Sequence, residues 1–257
     1  MEHYDIVVIG SGSGNTILDE DFSDRRAAII DSGAFGGTCL NVGCIPTKMF
    51  VLPADLAISP SEAARLGIHL QFHSASFASI RDRIFGRIDP ISEAALSYRQ
   101  SQENIDVYTG EAKFVDARTL GVGDRRITAD QIVLAAGSRP RVPDVLGVAE
   151  PSLAESIHTS DTIMRLAELP QRLVILGGGS IAAEFAHIFS SLGTQVTVIN
   201  RSGRMLRHED REISERFTEQ MGRRVQLRMS EDLVGIDRDP GGHLVVLTVD
   251  GDGVDYD

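Results

Sequence analysis

Five short apolar runs punctuate the chain: residues 4–9 (YDIVVI), 27–30 (AAII), 132–136 (IVLAA), 173–176 (LVIL) and 196–199 (VTVI). None alternates with polar residues, so each reads as a strand buried on both faces, as in a parallel sheet covered by helices. Gly10, Asp31 and Gly137 close the first three, and Gly177-Gly178-Gly179 follows the fourth. A strand–glycine turn–helix–strand unit therefore appears twice, near residue 6 and near residue 173, which predicts an α/β fold. Residues 53–102 are helical in composition, with Pro60 and Pro90 as expected breaks. Residues 119–133 read as a hairpin turning at Gly123-Asp124. Pro140, Pro143 and Pro151 crowd one segment and place a boundary near residue 155, giving units 1–155 and 156–257. Residues 244–249 form a strand pattern and Asp250-Gly251-Asp252-Gly253 a turn signal, after which the chain stops. That pattern predicts the N-terminal part of a longer protein.

Composition narrows the class. The 257 residues include 25 Gly, 9 Pro, 2 Cys and no Trp, with 42% hydrophobic and 24% charged. Collagen-like, disordered and disulfide-scaffold classes are excluded. A formal net charge of −12 suits neither nucleic acid nor an anionic membrane surface. The most apolar segment, residues 173–192, contains Glu184 and His187 and is not expected to span a membrane. The opening Met1-Glu2-His3-Tyr4-Asp5 has no basic secretory n-region, and two cysteines suit a reducing compartment, so a cytoplasmic location is expected.

Gly10-Ser11-Gly12-Ser13-Gly14-Asn15 follows a strand and is expected to open a helix. Gly10 permits the tight turn, and Gly12 lets the backbone approach a pyrophosphate at the helix N-terminus. Asp31, about 20 residues on, ends the next strand where a carboxylate reaches a ribose hydroxyl. The third glycine of the fingerprint falls at Asn15, so either a side chain is accommodated there or Gly14 shares its role. Gly177-Gly178-Gly179-Ser180-Ile181-Ala182 is a second fingerprint, G-x-G-x-x-A. Its following strand ends in Asn200-Arg201 rather than an acid. Arg201 and Arg207 supply cations for a 2′-phosphate, which favours NADPH over NADH. Two solvated arginines are the alternative.

Both cysteines lie in Gly36-Gly37-Thr38-Cys39-Leu40-Asn41-Val42-Gly43-Cys44-Ile45-Pro46-Thr47-Lys48. In a regular helix, i and i+5 would have Cα atoms about 8–9 Å apart, while a disulfide wants about 4.4–6.8 Å. Bonding them requires a distorted turn, which Gly43 permits, and a strained local disulfide suits redox exchange. Lys48, four residues after Cys44, would favour its thiolate. Two unpaired thiols or half a zinc site are the alternatives. His69 and His73, at i and i+4, lack a third metal ligand.

The stretch GGTCLNVGCIPTK resembles the redox-active signature of the flavin-dependent pyridine nucleotide–disulfide oxidoreductases. Lys48-Met49-Phe50, residues 85–90 (FGRIDP), 104–108 (NIDVY) and 158–161 (HTSD) extend the likeness over essentially the whole chain. The resemblance implies two Rossmann-like units of the FAD/NAD(P)-binding fold. FAD would lie on residues 1–155, with Ser13 and Gly14 at the pyrophosphate and Asp31, where the family usually has Glu, at the ribose. Thr38, Cys39 and Lys48 would line the flavin, and Gly110, Ala112, Ala136, Gly137 and Ser138 match further FAD-side positions. Cys39 would be the interchange thiol and Cys44 the flavin-side thiol of a Cys39–Cys44 redox disulfide. Glu184 would pair with Lys48 near the flavin, a pair expected to be buried; His187 would be a packing residue. NADPH would be the reductant, and a low-molecular-weight disulfide, mycothione in particular, the substrate. Dihydrolipoyl dehydrogenase chemistry and an inactive dinucleotide-binding fragment stay open. The family's His–Glu acid/base pair and its homodimer interface lie in a C-terminal domain outside these 257 residues, so the chain alone is expected not to turn over.

Overall fold

The structure, a computed structural model, describes residues 1–145, 147–239, 244–248 and 254–256. Two compact units pack separately, Met1–Pro46 with Arg83–Arg139, and Thr47–Asp82 with Pro140–Asp257. This partition follows packing, whereas the division near residue 155 follows the prolines that crowd the chain between the two fingerprint units, and the two are not the same.

The first unit is built on a six-stranded sheet of β1 (Glu2–Ile9), β2 (Ala27–Asp31), β3 (Ile105–Thr109), β4 (Ala112–Asp116), β5 (Thr119–Val122) and β6 (Arg125–Leu134), in the order β3-β2-β1-β6-β5-β4. β3, β2, β1 and β6 run parallel, and β5 and β4 are antiparallel additions. Ala28 and Ile30 join Tyr4, Val7 and Ile127 in one buried cluster, while Ala27 and Ile29 join Ile6, Val8 and Phe35 in another. Burial on both faces is why the run AAII lacks alternation. β5 and β6 meet at Val122 and Arg125 across the two-residue turn Gly123-Asp124, with Gly123 at φ +56°. β6 starts earlier than the apolar run 132–136 and ends two residues short of it.

Two expectations are corrected here. The first fingerprint opens only a 3-10 turn, Ser13–Ile17, rather than an α-helix. In the residues after it (LDEDFSDRR, 18–26) only Leu18 and Phe22 are apolar and pack on the core, too short a stripe to seat an α-helix on the sheet. Nor do Pro60 and Pro90 break helices. Between α1 (Gly37–Asn41) and the hairpin strands run α2 (Cys44–Arg65), with Pro53 and Pro60 inside it, and α3 (Phe77–Gln100), with Pro90 inside. Pro60 has no N–H for the Leu56 carbonyl, but Ser59 Oγ donates to that oxygen at 2.7 Å. The break comes at Gly67 instead, φ +78°, where Gly67 N donates to Ala64 O and Ile68 N to Ala63 O, both at 3.0 Å. That is a Schellman cap. Among the described residues, Gly37–Arg65 is the one helical stretch long and apolar enough to cross a membrane.

The second unit holds a parallel sheet of β7 (Arg172–Leu176), β8 (Gln195–Asn200) and β9 (Gln226–Met229), in that order. α4 (Ser180–Leu192) connects β7 to β8, and α5 (Arg211–Met221) precedes β9. β10 (Leu233–Arg238), β11 (Leu244–Thr248) and β12 (Val254–Tyr256) form an antiparallel sheet. The turn expected at residues 250–253 lies outside the described residues. Phe50 of α2, Phe77 of α3 and Phe189 of α4 stack at 5.5 and 5.9 Å between ring centroids, joining three helices in one apolar contact.

Candidate functional site

The first glycine turn works by withdrawing side chains. Gly10 sits at φ +114°, and a Cβ there would overlap the Ala135 carbonyl. A Cβ on Gly14 would overlap the Ala135 side chain, so Gly14 makes the close approach that the fingerprint assigns to its third glycine. Asn15, which stands in that third place, buttresses the turn. Its Nδ2 donates to Ser11 O at 2.7 Å and to Gly12 O at 2.6 Å. Arg99, 84 residues away on α3, donates to Asn15 Oδ1 at 3.1 Å, Asn15 O at 2.9 Å and Leu18 O at 2.9 Å.

Asp31 is fixed by the same turn. Its Oδ2 accepts from Ser11 N at 2.7 Å and Ser11 Oγ at 2.6 Å, and its Oδ1 from Gly33 N at 2.8 Å. Burial pushes the Asp31 carboxyl up, yet these bonds and the Arg139 charge outweigh it and hold the group below the usual carboxylate range. Asp31 and Asn41 line a cavity of about 370 Å³ by the carboxyl ends of β2 and β3, where open parallel sheets bind ligands. Ala112 and Gly137 lie outside its lining. Gly137, at φ +68°, faces Thr38 Oγ1.

The cysteine signature abuts this turn backbone to backbone. Gly37 is at φ +73°, and a Cβ on it would come within 2.5 Å of Gly12 Cα. Asn41 Nδ2 ties down the preceding loop through Ala34 O, Phe35 O and Gly37 O at 3.0–3.1 Å. Ser92 Oγ adds a bond to Phe35 O at 2.6 Å. The helix is interrupted at Val42-Gly43, between α1 and α2, so the pair is not held at regular i, i+5 spacing. A Cβ on Gly43 would lie 2.9 Å from Thr38 O. Cys39 and Cys44 are exposed free thiols, hydrogen-bonded to each other. That bond, and after it burial, pushes the Cys39 thiol up, while the Cys44 and Ile45 amides at the start of α2 act against it.

In the second unit Lys48 Nζ donates to Glu184 Oε1. The pair is not buried as expected: the Lys48 side chain is 67% exposed and that of Glu184 34%. Gly177, at φ +110°, donates its N–H to Ile199 O at 2.8 Å, and Gly179 caps α4. Ile181, in the first turn of α4, is exposed. A Cβ on Gly178 would lie 2.7 Å from Asn200 Nδ2. Asn200 Nδ2 donates to Ser202 O at 3.1 Å and Arg204 O at 3.0 Å, so the residue in the acidic position shapes a loop instead. That loop and Gly178-Gly179-Ser180 enclose about 440 Å³, lined by Arg201, Arg204 and Arg207. Arg204 Nε is buried with no hydrogen-bond partner. Sequence reading missed Arg204; the three-residue spacing 201–204–207 was its available signal. His187, expected to pack, holds Asp55 Oδ1 at 2.8 Å instead. Among the described residues no three His, Cys, Asp or Glu side chains are placed to hold a metal.

The chain is similar to known proteins along nearly its whole length. The family profile "Pyridine nucleotide-disulphide oxidoreductase" matches residues 4–257. Mycothione reductase of Mycobacterium tuberculosis (strain H37Rv) is 47% identical over 97% of this chain and 54% of its own length. Glutathione reductase of Burkholderia cepacia is 31% identical over 99% of the chain and 56% of its own. The solved HOCl-induced flavoprotein disulfide reductase RclA of Escherichia coli, as a Cu(II) complex, superposes with a TM-score of 0.85 at 26% identity. It covers 100% of this chain and 55% of that one. The chain thus spans about half the length of the curated relatives it matches.

Proposed function

The chain belongs to the pyridine nucleotide-disulphide oxidoreductase family, and from that membership we propose that it is a flavoprotein disulfide reductase acting on mycothione. FAD is held on residues 1–155 and NADPH on residues 156–257. The single observation that carries the reading is the Cys39–Cys44 pair, set on the break between two helices and backed against the Gly12 turn.

The residues fit both groups. Gly10, Gly12, Gly14 and Gly37, with Ser13 among them, leave a cradle that Cβ atoms on the glycines would crowd, and Asp31 lines the cavity beyond it. Thr38 and Gly137 face each other and, with Ala112, are assigned to FAD by the resemblance alone. FAD, when bound, relays an electron pair from the nicotinamide to the cysteine sulfurs. Gly178 and Gly179 would receive the NADPH pyrophosphate side and Arg201, Arg204 and Arg207 its 2′-phosphate, while Gly177 and Ile181 line an adjoining cavity that shares Gly179. The family resemblance would assign the Lys48–Glu184 ion pair to the flavin.

The exchange step uses the chain's own sulfurs. Cys39 thiolate attacks one sulfur of the substrate disulfide, forming a mixed disulfide and expelling one thiol. Cys44 thiolate then attacks Cys39, expelling the second thiol and leaving the Cys39–Cys44 disulfide. Two protein thiols are oxidised and one disulfide is reduced to two thiols. The hydrogen bond from Cys44 and burial push the Cys39 thiol up on balance, and the amides of Cys44 and Ile45 work against them toward the attacking form. A homodimer and a cytoplasmic location complete the proposal, by analogy with the family.

A stoichiometric reaction tests it. The reduced chain, mixed with mycothione, should lose both thiols and release two mycothiol molecules. Cys44→Ser should stop at a mixed disulfide on Cys39, one mycothiol heavier by mass. Cys39→Ser forming the same adduct on Cys44 as readily would overturn the assignment.

A further inference from the structure

The seam that holds Lys48 and Glu184 carries a second, unassigned polar chain. His187, three residues after Glu184 on α4, faces Asp55, seven residues after Lys48 on α2, with Nε2 2.8 Å from Oδ1. Its other nitrogen, Nδ1, lies 2.9 Å from Arg224 Nη1. Arg224 Nη2 donates to Ser191 Oγ at 2.7 Å. Spacings of three, four and seven put Glu184, His187 and Ser191 on one face of α4, and Lys48 and Asp55 on one face of α2. A guanidinium only donates. His187 Nδ1 must therefore present a lone pair, and the ring proton sits on Nε2, aimed at the Asp55 carboxylate. Every bond in the chain has a fixed direction.

We infer that Asp55, His187 and Arg224 are positioning residues for the Lys48–Glu184 pair, fixing the roll of α4 against α2 so that the Glu184 carboxylate stays on the Lys48 ammonium. The pair cannot do this alone. Lys48 is mostly exposed, and exposed ion pairs hold geometry weakly. The stacked Phe50, Phe77 and Phe189 rings press the helices together, but apolar contact is non-directional. The His187 side chain is only 18% exposed, which shelters the directed bonds. The functional meaning of this device rests on the reading of Lys48 and Glu184 as flavin-site residues; the device itself needs no flavin.

The test exploits composition. Lys48 and Lys113 are the only lysines, so reductive ¹³C-methylation leaves two lysine signals, with Lys113 as internal reference. Glu184→Gln marks the position of an unpaired Lys48. Asp55→Ala, His187→Asn and Arg224→Met should each move the Lys48 signal more than half way to that position and leave Lys113 unmoved, and Asp55→Glu should restore it. A Lys48 signal unchanged in all three variants overturns the inference. Should the variants fail to fold, ¹⁵N-histidine spectra of the unsubstituted chain decide: His187 protonated on Nε2 alone at pH 8 supports it, and any other form overturns it. Failure of the mycothione reaction together with a responsive Lys48 would sink the flavin reading and leave the positioning chain standing.

Discussion

Gly37→Ala tests whether the cysteine signature is seated on the glycine turn by backbone contact. Two costs are expected. At φ +73° an alanine meets the left-handed penalty, about 1–2 kcal/mol. Its Cβ would also stand 2.5 Å from Gly12 Cα. Gly12 has no side chain to yield, so backbone must move, an overpacking cost of about 1–3 kcal/mol. Gly67 provides a matched control, with φ +78° and nothing within 4 Å of its would-be Cβ. Gly67→Ala should lose only the conformational part. The difference between the variants isolates the steric term, about 1–3 kcal/mol, or roughly 2–12 °C in Tm for a chain of this size. Urea unfolding followed by far-ultraviolet circular dichroism measures it, the chain having no Trp to report by fluorescence. Flavin uptake should fall in Gly37→Ala and hold in Gly67→Ala. Equal destabilisation by the two substitutions would show that the Gly12–Gly37 approach is slack and that the two motifs are not joined there.

Three further outcomes are expected. Arg99→Met should cost about 2–3 kcal/mol, since it removes charge-assisted bonds to the half-buried turn at Asn15 and Leu18; an unchanged urea midpoint would refute the buttress. Asp31, whose folded carboxyl is held low, adds stability above its unfolded value of about 4, lost as pH falls through the lower folded value. The Tm gap between the parent chain and Asp31→Asn should thus be widest at neutral pH and close in acid, and a gap constant from neutral to acid pH would contradict this. Arg201→Met, Arg204→Met and Arg207→Met should each weaken 2′,5′-ADP binding by calorimetry about 10-fold or more, with little effect on 5′-AMP; equal losses for both nucleotides would remove the case for a 2′-phosphate pocket.

The sheets were legible because burial on both faces leaves a continuous apolar signature, as in AAII and VTVI, although the equally apolar LVIL is only half-buried and its Leu176 exposed. The second fingerprint was legible for the same reason, its helix carrying an apolar face from Ala182 to Leu192. The first fingerprint misled, because a glycine pattern does not specify the helix after it; the polar stretch 18–26 was the signal that none follows. Prolines misled in the other direction. Pro60 is tolerated by a serine hydroxyl one residue away, a compensation that breaker rules do not weigh. Arg99 on Asn15, Arg224 on His187 and Asp55 on His187 are pairings across 84, 37 and 132 residues, which local spacing does not encode. Lys48 with Glu184, across 136 residues, was reached through resemblance alone.

The contacts around the Cys39 sulfur come from backbone amides and from Cys44 rather than from a neighbouring cation. Had the helix run unbroken from Gly37 through Lys48, Cys39 and Cys44 would stand about 8–9 Å apart at Cα. The Cys39 sulfur would then face no free amides, since those of Cys44 and Ile45 would be spent on carbonyls four residues back. Ending α1 at Asn41 and restarting at Cys44 leaves the first amides of α2 unspent, and they turn to Cys39. Gly43 makes the restart possible, because any side chain there would press on the Thr38 carbonyl. Lys48, the cation that spacing nominated for activating Cys44, is taken by Glu184. What turns those amides toward Cys39 is a two-residue gap in a helix, and a glycine holds it open.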